Sequence, residues 1–154
     1  MKIRYILIIC ALICTRVGMA QNNQLFDKYA EMDHVTSVYI SKAMFQMMPV
    51  IEQVGVNLMN MKGKIESLQL VTTERQDLVP QMRKEFSGLI HTGHEELMRV
   101  RDGKTRVTFY SNMKGEQIKD LIMLADADST YTVIQLTGNF TLQDIQEITQ
   151  EMSK

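Results

Sequence analysis

Apolar residues recur along this chain at two spacings, and the changes between them mark its elements. Leu25, Phe26, Tyr29 and Ala30 share one side of a helical period, with Asp27, Lys28 and Glu31 opposite, which predicts a helix over 23–32. The β-branched run from His34 to Ile40 predicts a strand. Ser41 has the chemistry of an N-cap, and Ile40 and Phe45 are spaced for a hydrophobic staple over the helix it opens. That helix carries Met44, Met47, Met48 and Ile51, with Pro49 bending or ending it. A second strand is expected over Lys64–Val71, burying Ile65, Leu68 and Leu70. Thr73 with Gln76 forms a capping-box pattern before the stripe Leu78, Val79, Met82, Phe86, Leu89 and Ile90, in which Pro80 implies a kink or a later start.

The second half reads as a four-strand antiparallel meander. Asp102-Gly103 is a two-residue hairpin signal joining Glu96–Arg101 to Lys104–Ser111. Turns over 112–115 and 126–129 lead into Glu116–Ala125 and Thr130–Thr137. With those turns as register marks, Met98, Val100, Val107, Phe109, Ile118, Ile122, Leu124, Tyr131 and Val133 share a core face. Leu121, Met123, Ile134 and Leu136 then lie on the opposite face, beside Arg99, Arg101, Lys104, Arg106 and Tyr110. In this register Arg99 opposes Arg106, and like charges across a ladder repel. Gly138 ends the last strand and Thr141 caps a helix bearing Leu142, Ile145 and Ile148, with Phe140 and Ile145 as its staple. The pattern as a whole predicts an α+β fold: a two-layer, predominantly antiparallel sheet, four strands from the meander and two from earlier, with helices packed on it.

Composition adds an address. Lys2 and Arg4 precede the apolar run Tyr5–Ile13, and small residues at Gly18 and Ala20 close the segment, the order of an export signal cleaved before Gln21. Ile13 before Cys14 and Arg16 after it disfavour lipidation at Cys14. The expected product is residues 21–154, a single domain in the periplasm or outside the cell, with an outer-membrane lipoprotein the weaker alternative. It retains neither Cys10 nor Cys14, so disulfides, thiolate catalysis and cysteine-ligated metals are excluded. Three of the 17 basic residues lie in the signal, leaving 14 against 18 acidic residues, a net charge of −4. That balance argues against a nucleic-acid partner, and no second apolar run reaches membrane-spanning length.

Against that acidic background Arg99, Arg101 and Arg106 form a local cationic cluster, the candidate contact for a small anionic ligand or a protein partner. The apolar part of the same face requires a cover, a second copy of the chain being one. His91-Thr-Gly-His94 has metal-ligand spacing, but two imidazoles lack the further donors of a site and suit a turn. The clustered Met44, Met47, Met48, Met59 and Met61 offer thioethers for copper, yet at helical spacing they read as flexible core. Asp126-Ala-Asp-Ser129 opens like a calcium loop and lacks its glycine and distal glutamate. Asp120 is expected at a sheet end, hydrogen-bonded to a neighbour such as Gln135. No nucleophile elbow, phosphate loop or Ser/His/Asp set is found, and no cofactor or metal is implied.

Several segments in order resemble a bacterial family known as a domain of unknown function (4252): Leu25-Phe-Asp-Lys-Tyr29, Val38-Tyr-Ile-Ser41, Ile65-Glu-Ser-Leu68, Glu96–Gly103, Ile118–Met123 and Leu136-Thr-Gly138. The resemblance implies an exported α+β domain and transfers no site residues. The functional expectation is a non-enzymatic binding module of the cell envelope, with a small envelope hydrolase or a copper-handling protein as alternatives.

Overall fold

A computed structural model describes residues 20–47 and 63–146. The expected signal segment up to Met19, the residues Met48, Pro49, Ile51, Met59 and Met61, and the C-terminal Ile148 lie outside the described residues. In chain order the elements are α1 (Ala20–Ala30), β1 (Val35–Ser41), α2 (Lys42–Met47), β2 (Ile65–Thr73), α3 (Val79–Ser87), β3 (His94–Asp102), β4 (Thr105–Lys114), β5 (Gln117–Asp126) and β6 (Tyr131–Thr141). A helical turn over 142–146 follows. The six strands form one antiparallel sheet in the order β1-β2-β6-β5-β4-β3, so the α+β class is confirmed and the meander occupies four adjacent positions.

Both faces of the sheet are apolar, because alternate residues of its inner strands are hydrophobic in both phases. On one face Phe26 and Tyr29 of α1 and Val79, Met82 and Phe86 of α3 pack on Val71, Ile122, Tyr131 and Val133. On the other, Phe45 of α2 and Phe140 pack with Ile40, Ile65, Leu68, Ile118, Leu121 and Leu136. The rings of Phe26 and Phe86 meet edge-on at 5.1 Å, and Tyr29 lies 5.3 Å from Phe86. At the rim of that contact Lys28 Nζ lies 2.6 Å from a Glu85 carboxylate oxygen, while the Tyr29 hydroxyl and Gln81 amide each donate to the carboxylate at 2.9 Å. The Lys28 and Gln81 donors hold the Glu85 carboxyl down at about 2, against 4.5 ordinarily.

The ends of the elements carry the local chemistry. Ser41 Oγ accepts the Met44 N–H at 3.4 Å, and Ile40 and Phe45 are both buried over that turn. Thr141 accepts the Asp144 N–H at 3.3 Å while the Asp144 carboxylate accepts the Thr141 N–H at 2.7 Å, a reciprocal capping box. Lys64 completes it at 2.6 Å from Asp144. Burial pushes the Asp144 carboxyl up, and the Lys64 ammonium and Thr141 donors outweigh it, so the net direction is down.

Two expectations at element ends are corrected. Thr73 does not cap α3: it ends β2, donating to the His34 carbonyl at 2.9 Å and accepting the Arg75 N–H at 3.1 Å. The helix starts later, at Val79, with Pro80 in its first turn, where a missing N–H is harmless. Nor does Gly138 end β6, which continues to Thr141. At Gly138 the backbone of β6 lies hard against that of Lys64 and Ile65; a Cβ there falls 2.2 Å from the Lys64 carbonyl oxygen.

The expected division of the meander between faces is also overturned. Cross-strand pairs put Met98, Val100, Val107 and Phe109 on the face of Leu121, Met123, Ile134 and Leu136. Arg99, Arg101, Arg106 and Tyr110 share the face of Ile122, Leu124, Tyr131 and Val133. Where the ladder passes from the pair Met113–Ile118 to Asn112–Asp120, one extra residue of β5 is inserted, which moves the β4 side chains up to Asn112 to the other face relative to β5.

Candidate partner-binding site

The β3–β4 hairpin forms one margin of the sheet, with β3 as its edge strand. Its two-residue turn is Gly103–Lys104, flanked by the pair Asp102 and Thr105, one residue later than expected. Gly103 takes φ +55, which a glycine adopts without penalty. The shift re-pairs the arginines: Arg99 lies opposite Thr108, and it is Arg101 that faces Arg106.

The three candidate residues therefore differ. Arg99 is ion-paired to Glu96. In a regular strand residues three apart point to opposite faces; the bulge between Glu96 and Met98 brings this pair to one side. Sequence periodicity carries no mark of that bulge. Nearby cations are also neutralised: Lys104 by Asp128 at 2.9 Å and Arg83 of α3 by Asp126 at 2.5 Å. Asp126 is the β5 neighbour of Arg106, so α3 draws away the carboxylate closest in register to that arginine. Arg101 and Arg106 are exposed, adjacent and without an ion pair among the described residues. On the opposite face of the same hairpin Met98 and Val100 are 40% and 47% exposed.

A second polar cluster spans the sheet at its far end on the same face. Ser41, Ser67, Thr137, Asp120, Asn112 and His94 are successive cross-strand neighbours over six strands. The His94 ring is enclosed, with Nε2 3.1 Å from one Asp120 oxygen. Gln135 donates to the other oxygen at 2.9 Å, the contact anticipated from the sequence. His91 stacks edge-on to His94 at 4.3 Å and its backbone N–H points at His94 Nδ1, which assigns the Nε2 proton to the Asp120 bond. Both carboxylate oxygens and both ring nitrogens are thus engaged. This acid–imidazole pair fastens β3 to β5.

A shallow groove of about 500 Å³ opens where β1, β2 and β6 begin or end, lined by His34, Thr36, Thr72, Thr73, Glu74, Arg75 and Thr130. Arg75 is clamped to Asp77 at 2.5 Å and the Thr73 hydroxyl is used by the backbone, so its polar groups serve one another. Among the described residues no three His, Asp or Glu side chains converge as metal ligands, and no helix is long and apolar enough to cross a membrane.

A six-stranded antiparallel sheet with helices on its faces, a basic hairpin at one margin and a polar row across one end of its strands define an α+β domain. The chain belongs to the family described as domain of unknown function (DUF4252), whose profile matches residues 29–148. Neither a protein of curated function nor a solved structure matches it.

Proposed function

We propose that this protein is an exported, non-enzymatic interaction module of the cell envelope that engages an anionic partner through Arg101 and Arg106, with Arg99 alongside. The observation that carries the reading is the Arg101–Arg106 cross-strand pair. Every neighbouring cation named above has a carboxylate within ion-pair distance, whereas these two face each other at an exposed hairpin. Opposed like charges are unfavourable by some tenths of a kcal/mol, about 0.2–1 in either direction for charged cross-strand pairs, and an anion between the guanidinium groups reverses the sign. The n-, h- and c-region order of residues 1–20 supports the exported address.

The test uses immobilised heparin as a polyanion at low ionic strength. The wild-type chain, although acidic overall, is expected to be retained and to elute as salt rises; the R101Q/R106Q variant is expected in the flow-through. Equal retention of the two proteins, or no retention of the wild type, overturns the reading.

A further inference from the structure

Resting on that reading, we infer that the partner is an extended peptide segment in which acidic and apolar residues alternate, and that it adds to the sheet as a seventh strand along β3. The edge position supplies the backbone: β4 pairs one side of β3, and among the described residues no strand pairs the other. β3 is nine residues long, and past its bulge the run Met98–Asp102 is regular. All five side chains of that run are exposed.

The alternation within the run sets the chemistry of the partner. Met98 and Val100 project on one face; Arg99 and Arg101 project on the other, where Arg106 stands behind Arg101. A strand laid beside β3 presents its own residues to these two faces in alternation. Apolar residues then cover Met98 and Val100, removing from water two of the large side chains that the domain leaves exposed. Acidic residues lie against Arg99 and Arg101 and quench the Arg101–Arg106 repulsion. Charges on an edge strand ordinarily discourage pairing. Here they also select, since a basic strand is repelled and a neutral one leaves the arginine pair uncompensated. Main-chain hydrogen bonds supply affinity in such strand addition, and alternate side chains supply specificity.

The experiment titrates the mature chain with a short fluorescein-labelled peptide alternating glutamate and valine, read by anisotropy. Two isomers are compared, one N-methylated on its glutamates and one on its valines. An added strand turns only alternate amides toward its neighbour, so one isomer is expected to bind like the unmodified peptide and the other at least about tenfold more weakly. A second arm uses R99E/R101E, with its fold checked by circular dichroism. This variant is expected to lose the glutamate peptide and to gain an alternating lysine–valine peptide. Equal behaviour of the two methylated isomers, or no gain of the lysine peptide, overturns strand addition. If heparin is retained through Arg101 and Arg106 while no peptide binds, this inference fails and the anionic-partner reading stands; if neither binds, both fail.

Discussion

Replacing Gly138 with alanine tests the packing that holds β2 and β6 together. An added Cβ falls 2.2 Å from the Lys64 carbonyl oxygen, 3.0 Å from Ile65 Cα and 3.1 Å from the Lys64 carbonyl carbon. All three are backbone atoms, so no side chain can swing away, and ordinary contact near 3.4 Å requires β2 and β6 to part by about 1 Å. The Asn139 N–H to Lys64 carbonyl bond, 2.7 Å long, spans the same gap. Its loss is worth about 1 kcal/mol, and forcing a methyl into a filled site costs about 1–3 kcal/mol more. The expected destabilisation is therefore about 2–4 kcal/mol, a fall in Tm of about 6–16 °C for a chain of this size. Urea and thermal unfolding followed by circular dichroism measure it. Two controls calibrate the mechanism. G63A meets nothing within 4 Å and is expected to be near neutral. G103A has open space but φ +55, and the left-handed backbone alone costs about 1–2 kcal/mol. An order other than G138A worse than G103A worse than G63A, or a G138A protein within about 0.5 kcal/mol of wild type, refutes the close-approach argument.

Further outcomes follow from the charged contacts. Glu85, held at about 2 against 4.5 unfolded, stabilises the fold fully above pH 4.5 and loses that contribution as pH falls toward 2. E85Q is therefore expected to flatten the acid limb of a stability–pH curve; an unchanged limb contradicts the Lys28–Glu85 contact. H94A leaves one oxygen of a mostly enclosed Asp120 without its partner and is expected to cost about 1–3 kcal/mol, whereas a D120N/H94A double variant costs less than the sum of its singles. Additive losses in that cycle sink the pairing. R101Q/R106Q, by contrast, is expected to unfold no earlier than wild type, with a gain of up to about 0.5 kcal/mol from relieved repulsion. Intact-mass measurement of the native protein is expected to place its N-terminus at Gln21; a diacylglyceryl group on Cys14 contradicts cleavage before Gln21.

The parts of this fold legible in the sequence are those where one residue decides the backbone. Asp102-Gly103 marked its hairpin turn to within a residue, whereas the turn expected over 112–115 narrows to 115–116 because β4 runs on to Lys114; Ser41 and Thr141 marked two helix starts because their side chains cap orphan N–H groups. The faces of the meander were not legible, for two physical reasons. Bulges at Glu96/Met98, Asn112/Met113 and Ile118/Asp120 carry no residue signature, yet each reverses the parity of everything beyond it. Strands that bury both faces also remove the polar half of the alternation that would have exposed the error: Ile122 and Leu121 are both buried, as are Leu136 and Val133. The candidate arginines were recognisable from charge alone, since an acidic chain with a clustered cation run stands out. Which of them lack a counter-ion was not, because Glu96 reaches Arg99 through a bulge and Arg83 takes Asp126 from another element.

Chemical-shift mapping of the uniformly labelled protein during titration with a short heparin oligosaccharide decides whether Arg101 and Arg106 are the contact surface. Binding through this hairpin is expected to move the amide and guanidinium resonances of residues 98–107 first and most. Those of the groove around Thr36 and Thr72, and of the Lys28–Glu85 rim, are expected to stay in place. Saturable shifts centred on the hairpin that vanish in R101Q/R106Q support the interaction module; shifts centred elsewhere, or none at low salt, contradict it.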